Sequence, residues 1–157
     1  MKKAIHFLDF ITKDIKDIKE KHNIIGFTNG CFDLLHAGHL HLLESCKKNC
    51  DYLIVGLNSD ESVIRLKGTN RPIERQDERY KNLVALKSVD NVYIFKENTP
   101  ITLIEKIKPD IIFKGLDYLN KEVVGEKFIS SYGGKVQLIS LIEGISTTEI
   151  IRKRDKL

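Results

Sequence analysis

Five short runs of β-favouring apolar residues, each followed by a stretch of helical spacing, limit what this chain can fold into. The runs are Ile24-Ile25-Gly26-Phe27-Thr28, Tyr52-Leu53-Ile54-Val55-Gly56-Leu57, Val92-Tyr93-Ile94-Phe95, Ile111-Ile112-Phe113 and Val136 to Ile139. They are apolar at successive positions rather than alternate ones, so both faces of each strand need cover. Phe7, Ile11, Ile15 and Ile18 predict an amphipathic helix over 7–21, and Leu40, Leu43 and Cys46 predict one over 38–49. Tyr80, Leu83, Val84 and Leu86 predict another over 76–88. A further helix starts at Thr99-Pro100, with Thr99 as cap, and one around 124–132 stops at Gly133-Gly134. Asn58-Ser59-Asp60 reads as a loop and N-cap, and Ser146-Thr147-Thr148 before Glu149 caps a last helix. This alternation predicts βαβ units with right-handed crossovers, hence an α/β fold with a doubly wound five-stranded parallel sheet.

The rest of the composition narrows the class. A length of 157 residues suits one domain, and such a domain buries roughly 70% of its unfolded surface without staples. Three cysteines are too few and too odd for a disulfide framework, which fits a reducing, cytoplasmic setting. No apolar run is long enough to span a bilayer, so no membrane association is expected. His6 and Asp9 interrupt the N-terminus, so no signal peptide is read there. The net charge of +4 is mild, and no basic-aromatic surface pattern accompanies it. A small anionic ligand accounts for that charge better than a nucleic acid does.

Ligands of such sheets sit beyond the carboxyl ends of the strands. That directs attention to residues 28–37, 58–60, 114–118 and 141–147. The densest segment is Thr28-Asn29-Gly30-Cys31-Phe32-Asp33-Leu34-Leu35-His36-Ala37-Gly38-His39. Here a strand feeds a turn and a helix begins near Gly38, so backbone N–H groups point at whatever binds. His36 and His39 are three apart and can face one point, while Gly38 lets a phosphate approach the backbone. Two imidazoles with free N–H groups suit a phosphate whose charge grows during reaction. The pair also resembles half a zinc site, although no third ligand follows at metal-like spacing, and it equally suits two histidines capping a helix. Residues 67–75 read as a mobile polar loop, in which Lys67, Arg71 and Arg75 are either ligand contacts or an ordinary solvated face. Cys46 and Cys50 share a helical face and read as packing rather than metal ligands. Cys31 lies in the ligand turn with no base beside it, which argues against a nucleophilic role.

The segment Gly30-Cys31-Phe32-Asp33-Leu34-Leu35-His36-Ala37-Gly38-His39 resembles the HxGH, cytidylyltransferase-like nucleotidyltransferases. Four further segments match in order: Asn58-Ser59-Asp60; Arg65-Leu66-Lys67-Gly68 with Arg71-Pro72; Lys114-Gly115-Leu116-Asp117-Tyr118; and Gly144-Ile145-Ser146-Thr147-Thr148. The matching core runs over 24–153 of a single domain spanning 1–157, and the N-terminal helix within 1–22 lies outside the signature. Within the superfamily the sequence is most similar to the adenylyltransferase domains of bacterial ADP-heptose synthases. Glycerol-3-phosphate cytidylyltransferases are more distant, since they carry Arg where this chain has Leu141.

The resemblance implies a Rossmann-like fold of nucleotidyltransferase type. It implies AMP transfer from ATP to D-glycero-D-manno-heptose 1-phosphate, giving ADP-heptose and pyrophosphate. His36, His39 and Lys67 would be catalytic. Thr28, Asn29, Gly30, Cys31, Phe32, Asp33, Gly38, Asn58, Asp60, Arg79, Lys114, Gly115, Asp117, Ser146 and Thr147 would hold the nucleotide and its partner. Mg²⁺ would be carried mainly on the phosphates, with Asp33 either a ligand or a structural anchor. A separate sugar kinase would supply the acceptor, and relatives of this kind pair into homodimers. A cytidylyltransferase acting on a polyol phosphate such as glycerol 3-phosphate, an FMN adenylyltransferase and a non-catalytic nucleotide-binding regulator remain open.

Overall fold

Strands that are apolar on both faces are covered only if successive crossovers go to opposite sides of the sheet. A computed structural model describes residues 11–141, 150–152 and 154, with Thr12 by its backbone alone. In chain order the elements are α1 (Ile11–Lys21), β1 (Ile25–Gly30), α2 (Ala37–Lys48), β2 (Tyr52–Asn58), α3 (Asp60–Lys67), α4 (Gln76–Val84), β3 (Asn91–Phe95), α5 (Ile101–Ile107), β4 (Ile111–Gly115), α6 (Glu126–Ser130) and β5 (Lys135–Ile139). The strands form one sheet in the order β3-β2-β1-β4-β5, and every neighbouring pair is parallel. The expected doubly wound, five-stranded parallel sheet is therefore present.

Alternate residues of each strand feed separate cores. Leu53, Val55 and Leu57 of β2, Val92 and Ile94 of β3 and Phe113 of β4 pack with Leu43 and Cys46 of α2 and Tyr80 and Leu83 of α4. Ile54, Tyr93, Phe95 and Ile112 point the other way, onto Ile11, Ile15 and Ile18 of α1 and Leu103, Ile104 and Ile107 of α5. Each of those α1 isoleucines is buried, worth about 1.5–3 kcal/mol apiece. That burial holds the N-terminal helix, which the signature does not require, against the sheet.

Several boundaries differ from the expectations. The Thr99 side chain does not cap α5; Pro100 is the flanking residue and the helix begins at Ile101. Helix α4 stops at Val84 rather than 88, because the chain tightens into turns, with the N–H of Leu86 donating to Leu83 O and that of Val89 to Leu86 O. Helix α6 is shorter than 124–132, since Gly125 sits at φ +88 ahead of it and residues 131–133 close as tight turns. Lys67, expected on a loop, is the last residue of α3, which ends at Gly68 with φ +97. Residues 7–10 of the expected first helix, and the Ser146-Thr147-Thr148 cap, lie outside the described residues.

Candidate functional site

Strand order reverses between β1 and β4, and their carboxyl ends diverge. They pair only at Gly26–Ile111 and Phe27–Ile112, whereas β1 pairs with β2 along its whole length. Beyond Phe27, side chains span the gap: Thr28 Oγ1 donates to Phe113 O at 3.2 Å, and Lys114 Nζ donates to Asn29 Oδ1 at 2.8 Å. A crevice at such a switch point is where doubly wound sheets bind ligands.

The turn from β1 into α2 carries two left-handed non-glycine residues, Phe32 at φ 47 and Leu34 at φ 54. Such backbone costs about 1–3 kcal/mol each and persists only where its surroundings fix it. Here they do. The Phe32 ring is buried, 5.4 Å from the ring of His39. Asp33 is only 1% exposed; Oδ2 accepts from the Ile73 N–H (2.8 Å) and Arg71 Nε (3.2 Å), and Oδ1 accepts from the Glu74 N–H (3.0 Å). Glu74 reciprocates, its Oε1 accepting from the Leu34 N–H at 2.9 Å. The stretch expected to be a mobile loop is thus pinned over 71–74 to the turn it faces.

Arg79 lies beneath this turn, fully buried. Its Nε donates to Glu74 O, one terminal nitrogen to Cys31 O and Asn58 O, and the other to Asp60 Oδ1, all at 2.8–2.9 Å. The Asn58 amide donates to Ser62 Oγ, and the Asp60 N–H donates to Gln76 Oε1. Asn58, Asp60 and Arg79, expected as ligand contacts, are thus bonded to one another and to the turn. Arg79 and Asp60 form an ion pair at 2.8 Å.

Both histidines cap α2. Gly38 N–H donates to His36 Nδ1 at 3.1 Å, and His36 N–H donates to His39 Nδ1 at 3.3 Å, a reciprocal capping box. The rings stack with centroids 3.8 Å apart. An Nδ1 that accepts carries no proton, so in each neutral ring the proton is on Nε2. Burial pushes His39 down to about 4, helped by His36 and Lys67 and opposed by Asp33, and burial also lowers His36. At neutral pH both rings are uncharged and each offers a fixed Nε2–H. Capping uses the Nδ1 atoms alone, so the two alternatives read from the sequence are compatible here.

A cavity of about 200 Å³ is lined by Asn29, Gly30, Cys31, Phe32, Asp33, His39, Leu42, Lys67 and Arg71. Seven of the expected site residues meet there, and Arg71 and Leu42 join them. Arg75 is exposed at the start of α4, making no side-chain cap bond. Gly38 and His36 belong to the helix cap, and Thr28 ties β1 to β4. Lys114 reaches the cavity through Asn29. Gly115 is buried, where an added Cβ would lie 2.6 Å from Asp117 Oδ1, and Asp117 itself is exposed. Ser146 and Thr147 lie outside the described residues. Burial raises the Cys31 thiol despite the opposing Lys67, Arg79 and Arg71, so it stays protonated and is a poor nucleophile. Burial likewise raises Cys46 to about 12 and Cys50 to about 11, as for packing residues.

Sequence reasoning missed Glu74, Gln76 and Leu42 and left Arg71 open. Asp33 and Glu74 are 41 residues apart, and no periodicity links them. The one local hint is Pro72, which fixes the backbone between the cationic and acidic ends of that loop.

The cytidylyltransferase-like family matches residues 27–153 of the chain. Bifunctional protein HldE of Acidiphilium cryptum (strain JF-5) is 52% identical over 129 residues, which is 82% of this chain and 26% of that protein. Bifunctional protein HldE of Methylobacillus flagellatus is 49% identical over 146 residues, 93% of this chain and 30% of that protein. The chain thus spans between a quarter and a third of the length of these curated relatives. Among solved structures, a lipopolysaccharide core biosynthesis protein from Thermoplasma volcanium GSS1 is 32% identical with a TM-score of 0.62, covering 76% of this chain and 96% of that one.

Proposed function

The chain belongs to the cytidylyltransferase-like family of nucleotidyltransferases, and on that premise we propose that it moves AMP from ATP to D-glycero-D-manno-heptose 1-phosphate, releasing pyrophosphate. The observation that carries the reading is the neutral histidine pair with both Nδ1 atoms occupied, beside a cavity lined by Lys67 and Arg71.

The chemistry asks little of a base. A phosphate oxygen of the sugar phosphate is already ionised; it attacks the α-phosphorus, the bond from that phosphorus to the bridging β-oxygen breaks, and pyrophosphate leaves. No proton has to be removed. What must be overcome is repulsion between anions and charge build-up on the departing group. Lys67 and Arg71 supply point and forked positive charge, and His39 donates through Nε2–H to a phosphate oxygen. The left-handed turn at 32–34 holds its backbone groups in place before substrate arrives.

A divalent cation fits this site as a passenger of the phosphates. Among the described residues the one carboxylate lining the cavity, Asp33, already accepts from Arg71, Ile73 and Glu74, which favours its role as anchor. Mg²⁺ carried on the phosphates would supply charge neutralisation there.

The proposal also calls for a kinase activity outside these 157 residues to make the sugar 1-phosphate, for pairing of two copies, and for a cytoplasmic setting. No helix among the described residues is long and apolar enough to cross a membrane. The test is a matrix of nucleoside triphosphates against heptose 1-phosphate, glycerol 3-phosphate and FMN, read by pyrophosphate release. The reading requires release with ATP plus heptose 1-phosphate above every other pair. Release with CTP and glycerol 3-phosphate, or ATP binding with no release at all, would replace it.

A further inference from the structure

The Lys114 ammonium makes no ion pair with any described residue. It stands, partly buried, at the carboxyl end of β4, donating to Asn29 Oδ1 at 2.8 Å and lying 5.0 Å from the centroid of the Tyr118 ring. Neither partner is charged. Its neighbour in register on β5 is Leu138, which is apolar. Among the described residues, the charged groups around it are Asp117, in the turn after β4, which acts on it from an exposed position, and Lys121, whose ammonium lies 6.0 Å from the centroid of the same Tyr118 ring. A cation partly withdrawn from water without a counter-ion is costly, and an arriving anion relieves that cost.

The hydrogen bond also decides an orientation. A lysine ammonium only donates, so the oxygen of the Asn29 amide must face it and the NH₂ group faces away. Asn29 lines the phosphate cavity.

We propose that Lys114 is a positioning residue: it occupies the Asn29 oxygen so that the amide presents its NH₂ to the cavity, and its charge, which no described residue pairs directly, biases the β1–β4 crevice toward an anionic ligand. This rests on the proposed function, in which that ligand is the nucleotide phosphate chain. Burial lowers Lys114 to about 8, with Asp117 opposing. A bound anion favours the charged form and raises that value, so binding takes up a proton above pH 8, and affinity falls as pH rises through it.

The test is calorimetric titration with Mg-ATP from pH 7 to 9.5, needing no acceptor. The wild-type Kd should rise by roughly tenfold across that range, as expected for one group whose pKa moves by about a unit on binding. Proton uptake at pH 8.5 should appear as a dependence of the heat on buffer ionisation enthalpy. Lys114→Met should bind roughly tenfold more weakly at pH 7, with a flat pH profile, and Lys114→Arg should restore much of the affinity while staying flat. A flat wild-type profile without proton uptake would overturn the proposal, even if Lys114→Met failed to fold. So would a folded Lys114→Met protein with wild-type affinity and slope. If the wild-type protein bound no Mg-ATP at any pH, the proposed function would fall first, and this inference with it.

Discussion

Replacing Arg79 by methionine keeps most of the side-chain volume and removes the hydrogen bonds that its guanidinium makes to four residues around the site. The guanidinium is fully buried and serves Glu74 O, Cys31 O, Asn58 O and Asp60 Oδ1. Without it the Asn58 carbonyl is left buried and unpaired, at about 1–3 kcal/mol. The Glu74 and Cys31 carbonyls are partly buried and fall toward the lower end of that range. Asp60 is a third exposed and recovers water, so it adds little. The sum is about 3–5 kcal/mol, the usual cost of removing one partner of a buried charged pair. Against a whole-domain stability of about 5–15 kcal/mol, that is a large fraction. Urea unfolding followed by circular dichroism measures it directly. Arg79→Lys should recover less than half of the loss, because one ammonium cannot span three carbonyls and a carboxylate. A change below about 1 kcal/mol, or lost ATP binding at unchanged stability, would put Arg79 on the ligand and refute its role as scaffold.

Other outcomes follow from the same geometry. His39→Ala should lower turnover by roughly 10², comparable to losing one preorganised donor to a developing oxyanion, with KM for ATP changing far less; steady-state kinetics on a folded variant checks this. His39 titrates about 4 when folded and near 6.5 when unfolded, so the neutral ring adds stability above pH 6.5 that is lost as pH falls toward 4. Urea midpoints between pH 7 and 4.5 should therefore fall less in His39→Gln than in the wild type. Asp33→Asn should free residues 71–74, giving faster proteolysis within 67–75 and a raised KM for ATP through Arg71; wild-type proteolysis rates would contradict the anchor role. Gly26→Ala would place a Cβ 2.6 Å from the Phe113 ring and 2.8 Å from Cys50 Sγ, an overpacking cost of about 1–3 kcal/mol in urea unfolding.

The sheet was legible because its information is local. Runs such as Leu53 to Leu57 announce a doubly covered strand whatever lies elsewhere in the chain, and their order with the helices leaves few topologies. The segment 28–39 was legible for the same reason, since strand, turn, histidines and helix start are contiguous. Helix ends were harder to read: Pro100 and Gly125 set boundaries through backbone angles that side-chain periodicity does not report. The partners of Asp33, Asp60 and Arg79 were illegible for a different reason. Each has the polarity of a ligand contact, and tertiary neighbours such as Ile73, Glu74 and Asn58, distant in sequence, supply the bonds it makes in the fold. Which nitrogen of each histidine remains free likewise depends on caps that exist only once the turn has closed.

Nucleotidyl transfer by a site with a preorganised histidine pair and no general base leaves a direct chemical signature. ATP labelled at the α-phosphorus, incubated with heptose 1-phosphate and Mg²⁺, follows the bond that breaks. The label should appear in a phosphatase-resistant sugar nucleotide, with one pyrophosphate released per label transferred. Label recovered only in AMP or ADP, or release of orthophosphate in place of pyrophosphate, would contradict it.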